Sequence, residues 1–266
     1  MGWEPAIAVL PDRHHQRSGL QATPLEALTW PLGLPDRLYG GTVADLSPQD
    51  HLLIHPRMLT HFRRRSGISA RVSLLLLEPA LTHARHIAML RLTWWRFFRI
   101  LTFHEELLTR IPNGIFFAPG ATTIPDWRDF DNAKTQDCAL APPPVRGEGL
   151  RLHEALATRL DADTGAARFT VVIEAARERN YFSARLVDAI FRGSVPIYWG
   201  CPNLADFFDP SGIVLCENEA DICRAVQAAS EAEHAARLPQ VRALQQVLAP
   251  YAMTEQRAAR ALLASL

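Results

Sequence analysis

The sequence predicts an α/β protein of two domains built on mostly parallel sheets, and three observations lead there. Strand-sized apolar runs alternate with longer helix-compatible stretches along the chain, as they do in β-α-β units. Several of those runs, such as Val72–Leu77 and Phe169–Ile173, are almost continuously apolar, the pattern of a strand covered by helices on both faces. A length of 266 residues with 48% apolar and 21% charged residues supplies ample core for two domains and excludes global disorder.

The expected strands are Ala6–Leu10, His51–His55, Val72–Leu77, Arg99–Phe103, Ile115–Phe117, Phe169–Ile173, Val195–Trp199 and Ile213–Cys216. Helices are expected over His83–Phe98, Glu105–Arg110, Leu150–Leu160, Phe182–Phe191, Glu219–Ser230, Leu238–Leu248 and Thr254–Leu263, the last able to pack back on the first domain. Prolines punctuate residues 20–40, which read as an irregular connection. At Pro142-Pro143-Pro144 three residues without backbone donors forbid regular structure, placing the boundary between a first domain, 1–144, and a second, 145–266.

Basic and acidic side chains balance at 28 each, so the chain as a whole has no cationic excess to attract nucleic acid or an anionic membrane. The one dense basic run, His61-Phe62-Arg63-Arg64-Arg65, reads as solvated surface. Cys138, Cys201, Cys216 and Cys223 form no C-x-x-C pair, which suits reduced thiols in the cytoplasm. No stretch approaches the ~20 apolar residues of a membrane-spanning helix, so a soluble or at most peripherally attached protein is expected. The histidine pairs His51/His55 and His83/His86 bring no evident third ligand, and no metal site is expected; nor does a G-x-G-x-x-G or G-K-[ST] phosphate loop occur.

Chemistry concentrates between Phe169 and Asn203, a strand, loop, helix, Gly turn and strand in succession. In open α/β sheets ligands sit beyond the carboxyl ends of the strands, against the N-termini of the following helices, and Glu174, Tyr181 and Arg185 occupy that position. A carboxylate there accepts from ribose hydroxyls, while helix N-terminal amides and an arginine fork suit a diphosphate. Glu174 and Arg185 would equally suit an ordinary ion pair beside a crossover, and spacing alone does not separate the two. Tyr198 and Trp199 end a strand beside the same place, where an aromatic face could stack on a base or fill the core.

The order Phe169, Glu174, Tyr181, Leu186, Ala189, then Val195-Pro196-Ile197-Tyr198-Trp199-Gly200 with Pro202, resembles the signature of family 10 glycosyltransferases, the α1,3-fucosyltransferases. Gly149-Leu150-Arg151 is similar to the family segment that sets an arginine on the donor diphosphate, and Leu77-Glu78-Pro79 to a strand ending in a carboxylate near the acceptor. The resemblance implies a GT-B-like architecture, two Rossmann-like domains with mostly parallel sheets, acceptor domain first and donor domain second. It implies an inverting, metal-independent transfer of a sugar, fucose from GDP-fucose foremost, to a glycan hydroxyl, with a nucleotide-sugar substrate and no further cofactor. Glu174, Tyr181, Ser183, Arg185 and Arg151 would hold the donor, Arg151 and Arg185 would neutralise the leaving diphosphate, and Glu78 would be the base facing it across a cleft. A charge favouring a helix N-terminus accounts for Glu78 as well, and Glu105 and Glu106 are weaker alternatives that more naturally begin a short helix.

Departures accompany the match. The family's E-N-S is Glu174-Ala175-Ala176 here, and its T-E-K is Ser183-Ala184-Arg185. The second glutamate is missing, whereas arginine for lysine keeps the charge and adds a bidentate fork. Alternatives are an exostosin-like UDP-sugar transferase and a degenerate, non-catalytic carbohydrate- or nucleotide-binding protein.

Overall fold

The computed structural model describes residues 4–11, 19–62, 64–130, 133–162 and 164–266; Arg63 of the basic run and the adjacent His14 and His15 lie outside them. The chain divides into two compact units, Met1–Ala118 with Glu255–Leu266, and Pro119–Thr254.

In the first unit, strands β1 (Ile7–Val9), β2 (His51–Ile54), β3 (Arg71–Leu76), β4 (Ile100–Thr102) and β5 (Gly114–Phe116) pair in that order, all parallel. Helix α1 (Ala80–Thr93) links β3 to β4, and the short α2 (Glu105–Leu108) links β4 to β5. The side chains sort by the two-residue period of a strand. Leu52, Ile54, Leu74 and Leu76 pack with Ile87 and Leu90 of α1 on one face. Leu53, Leu75 and Leu101 pack on the other with Ala258, Ala259 and Leu262 of the final helix α7 (Thr254–Leu263). Both faces are covered, which is why the strands read as unbroken apolar runs. Arg257 fastens α7 in place, its guanidinium 4.7 Å over the Phe117 ring and donating to the Ala118 carbonyl at 3.0 Å. Helix α1 is shorter than the expected His83–Phe98: it starts after Pro79 and gives way at Trp94 to a 3-10 turn, Trp94–Arg96.

The second unit carries another parallel sheet, β6 (Gln136–Leu140), β7 (Ala167–Ile173), β8 (Val195–Trp199) and β9 (Val214–Leu215), in sequence order. Helix α3 (Glu148–Leu156) connects β6 to β7, and α4 (Ala184–Phe191) connects β7 to β8. Helices α5 (Glu219–Ala228) and α6 (Glu231–Leu248) follow β9. Buried Gln245 of α6 donates to the Phe191 carbonyl and to the Ile190 carbonyl, which also accepts from the Gly193 amide, at the end of α4. Buried Asp188 accepts from the Thr123 amide and hydroxyl, tying the segment after Pro119 to α4.

The two units differ from the expected domains of 1–144 and 145–266. Strand β6, which lies outside the expected strands, pairs with β7 from Gln136↔Ala167 to Leu140↔Val171 and so belongs to the second unit. The three prolines therefore form a loop inside that unit. The last helix belongs to the first, because its apolar face of Ala258, Ala259 and Leu262 is buried there.

Candidate functional site

Strand β7 ends at Ile173, level with Trp199 of β8, and the next amide, Glu174, donates to the Trp199 carbonyl at 2.9 Å. The Glu174 side chain is completely buried at 0% exposure. One carboxylate oxygen accepts from the Ser183 amide at 2.9 Å and the Ser183 hydroxyl at 3.0 Å; the other takes Nη2 of Arg185 at 2.8 Å. Ser183 is the N-cap of α4, its hydroxyl receiving the Arg185 amide at 3.3 Å and Arg185 Nε at 3.1 Å. Arg185 also reaches the Pro142 carbonyl at 3.4 Å, while its side chain keeps 17% exposure. Strand end, helix cap and arginine thus form one network, with the cation at its solvent-facing side.

Two glycines let the backbone close around this acid. A Cβ at Gly149 would lie 1.7 Å from the Glu174 carbonyl oxygen, and one at Gly200 would lie 2.5 Å from Glu174 Cγ and 2.5 Å from the Tyr198 hydroxyl. Gly149 also donates its amide to the Ala175 carbonyl at 3.2 Å, so the first turn of α3 rests directly on the carboxyl end of β7. Gly147, at φ 97°, supplies the left-handed turn into that helix. Arg151 stands exposed on α3, two residues beyond Gly149.

The loop from Ala175 to Tyr181 is held by a buried amide pair. Asn180 adopts φ 64°, the only described non-glycine residue with positive φ. Its amide donates to Asn203 Oδ1 at 2.8 Å, and Asn203 Nδ2 returns a bond to Asn180 Oδ1 at 2.8 Å. Asparagine tolerates this conformation better than other side chains. Tyr181, next in line, is buried.

Glu174, Ser183 and Arg185 are therefore brought together, the Glu174 carboxylate buried with one oxygen on Ser183 and the other on Arg185. Tyr198 and Trp199 are core: the Tyr198 hydroxyl accepts from the Cys201 amide at 3.0 Å, and Trp199 Nε1 donates to the Glu217 carbonyl at 3.1 Å. Neither face is open to stacking. The sequence reading missed Asn180, Asn203 and the packing role of Gly149. A glycine within the first turn of a helix, costing ~1 kcal/mol against alanine, was the available signal for Gly149.

In the first unit, Glu78 is exposed between the end of β3 and Pro79, where the positive end of α1 accounts for a negative charge. Its carbonyl meets His104 Nε2 at 3.1 Å. Glu105 and Glu106 begin α2, and Glu106 pairs with Arg91 at 2.8 Å and Arg110 at 3.0 Å. His61 Nε2 lies 3.0 Å from His86 Nδ1, and the His86 ring meets that of His83 edge-on. Among the described residues no group of three or more His, Cys, Asp or Glu side chains is placed to hold a metal ion.

No protein-family model matches the chain, and no curated protein matches it in sequence. Among solved structures, it is similar to an α1,3-fucosyltransferase with GDP, at 12% identity and a TM-score of 0.45 over 70% of this chain and 68% of that one. An α1,3-fucosyltransferase with GDP-fucose is similar at 13% identity and a TM-score of 0.42, over 73% of this chain and 70% of that one.

Proposed function

We propose that the chain is a nucleotide-sugar glycosyltransferase whose donor diphosphate is held at the N-terminus of α4 by Arg185. The observation that carries this reading is the Glu174–Ser183–Arg185 network, which fixes a partly exposed guanidinium beside helix amides at the carboxyl end of a parallel sheet. A planar fork whose far side is tethered loses little freedom when it meets a phosphate. The family 10 resemblance of Phe169–Pro202 supplies the substrate class, and GDP-fucose is the leading donor on that resemblance.

In the proposed reaction the acceptor oxygen attacks the anomeric carbon as its bond to the diphosphate oxygen breaks. The bonding pair leaves with the diphosphate, where Arg185 and Arg151 offset the developing charge. The acceptor proton passes to a carboxylate base, the role that the family resemblance assigns to Glu78. Glu174 acts here as a positioning residue.

Ala175, Ala176 and Ala184 replace polar residues of the family pattern, and this favours keeping a UDP-sugar transferase as the second reading. A thermal-shift panel of GDP, UDP and their sugar conjugates, followed by product analysis, separates the two. Stabilisation by GDP that is lost in Arg185→Ala and Arg151→Ala is expected. Stabilisation by UDP alone would install the second reading, and none by any nucleotide would remove both.

A further inference from the structure

Charge neutrality of the whole chain conceals a strong local imbalance. Between His51 and His104 the sequence holds nine arginines (57, 63, 64, 65, 71, 85, 91, 96 and 99) against one acid, Glu78, although Glu105 and Glu106 follow at once and Glu106 pairs with Arg91. Exposed apolar side chains gather in the same stretch. On α1, Leu81, Arg85, Ala88 and Leu92 recur at helical spacing along the exposed face, opposite the buried His83, Ile87 and Leu90. Leu92 is 74% exposed, and Trp95, in the turn that follows, 65%.

A second element packs on the flank of α1. It is the 3-10 turn Met58–His61, where His61 meets His86 at 3.0 Å and the Thr93 hydroxyl at 3.2 Å. Arg65 anchors the return of the chain, donating to the Arg96 carbonyl and lying 4.6 Å over the Phe97 ring. Between these anchors Leu59, 69% exposed, and Phe62, 60% exposed, project with Met58, and Arg57 and Arg64 stand exposed on either side. Isolated apolar side chains on a surface are ordinary, but this gathering on two packed elements within the most basic stretch of the chain is not.

We infer that this face of the first unit docks on an anionic lipid bilayer. Apolar tips on rigid elements suit insertion at the headgroup boundary, and the tryptophan suits the interface itself. The surrounding arginines complement anionic headgroups, with aliphatic stems able to lie along the apolar tips. A nucleic acid would match the charge but leave Leu59, Leu81 and Leu92 exposed. The inference is independent of the proposed reaction.

Co-sedimentation of the full chain with phosphatidylcholine vesicles, with and without phosphatidylglycerol, tests it. Binding to the anionic vesicles that weakens with salt is expected, with a blue shift of tryptophan emission that Trp95→Phe removes. At about 1 kcal/mol, or roughly fivefold, per arginine, the triple variant Arg57→Gln, Arg64→Gln, Arg85→Gln should partition on the order of a hundredfold less. Leu59→Ser with Leu92→Ser should weaken binding about tenfold or more with an unchanged Tm. Equal binding to both vesicle types, no binding at low salt, or full retention in either variant would overturn the inference. So would binding of a nucleic-acid oligonucleotide without vesicle binding, or self-association that Leu92→Ser abolishes in a protein that ignores vesicles.

Discussion

Arg185 pairs with Glu174 at 2.8 Å across the start of α4, and the acid it pairs with has no solvent exposure, whereas the arginine keeps 17%. That asymmetry sets the expected cost of cutting the pair from either side. Arg185→Ala strands a buried anion that retains only the two Ser183 donors and should lower unfolding free energy by about 3–5 kcal/mol. Glu174→Gln keeps the volume and one acceptor while Arg185 turns towards water, so about 1–3 kcal/mol is expected. Urea unfolding of both variants checks the order, and an equal loss would mean that the acid is better solvated than its burial indicates. Both should also lose nucleotide-induced thermal stabilisation, since Glu174→Gln no longer holds the guanidinium in place.

Gly149→Ala should be among the least tolerated single changes in the second unit. The new methyl would sit 1.7 Å from a backbone carbonyl oxygen, which cannot swing aside as a side chain can. Helix α3 must then move off the end of β7, at a cost of about 3 kcal/mol or more, and carry Arg151 with it. Gly149→Ser should behave no better. A wild-type Tm in Gly149→Ala would show that α3 rests less tightly on the strand.

Two substitutions at Asn180 separate backbone conformation from hydrogen bonding. Asn180→Gly keeps access to φ 64° but loses the bond from Asn203 Nδ2, so about 1 kcal/mol is expected. Asn180→Ala loses the bond and must also hold a left-handed conformation, adding about 1 kcal/mol. Chemical denaturation should rank wild type above glycine above alanine. Alanine equal to glycine would mean that the loop relaxes out of the left-handed region.

Acid should destabilise the protein well before its carboxylates titrate. Burial pushes His61 down to about 4, helped by the neighbouring His86, Arg96 and Arg65. Burial likewise pushes His83 to about 3 and His51 to about 4, with Arg71 adding to the effect on His51. An unfolded histidine titrates near 6.5, so below that value the unfolded chain binds more protons than the folded one. Stability is therefore complete above about pH 6.5 and falls towards pH 4, by up to ~1.4 kcal/mol per pH unit for each histidine that stays neutral when folded. Urea midpoints measured from pH 7.5 to 4.5 check the slope, and His61→Gln should make it shallower. An unchanged slope in that variant would assign the effect to other residues.

Much of the second unit was legible because its signals are local. Phe169–Ile173 and Val195–Trp199 are apolar runs of strand length and Gly193 turns α4 into β8 at φ 67°, although α4 begins at Ala184, after its cap Ser183, and not at the expected Phe182. Strand β6 was not legible. Gln136-Asp137-Cys138 carries no apolar pattern at this edge of the sheet, and the following prolines drew the eye to a boundary that is only a loop. Helix α6 begins at Glu231, earlier than expected, because Pro239 inside it reads as a break.

The sequence by itself determined the α/β class, the parallel strands, the position of α4 and the clustering of Glu174, Ser183 and Arg185, since each follows from periodicity, capping or short separation along the chain. Tertiary structure alone decided that Glu174 is sealed beneath Arg185, that Gly149 presses α3 on the strand end, and which face of α7 the first sheet buries. Those outcomes depend on approaches between residues far apart in the chain, Gly149 to Glu174 or Leu262 to Leu53, which no local pattern encodes. In the Glu174–Arg185 pair the acid is buried and the cation is the side turned to solvent.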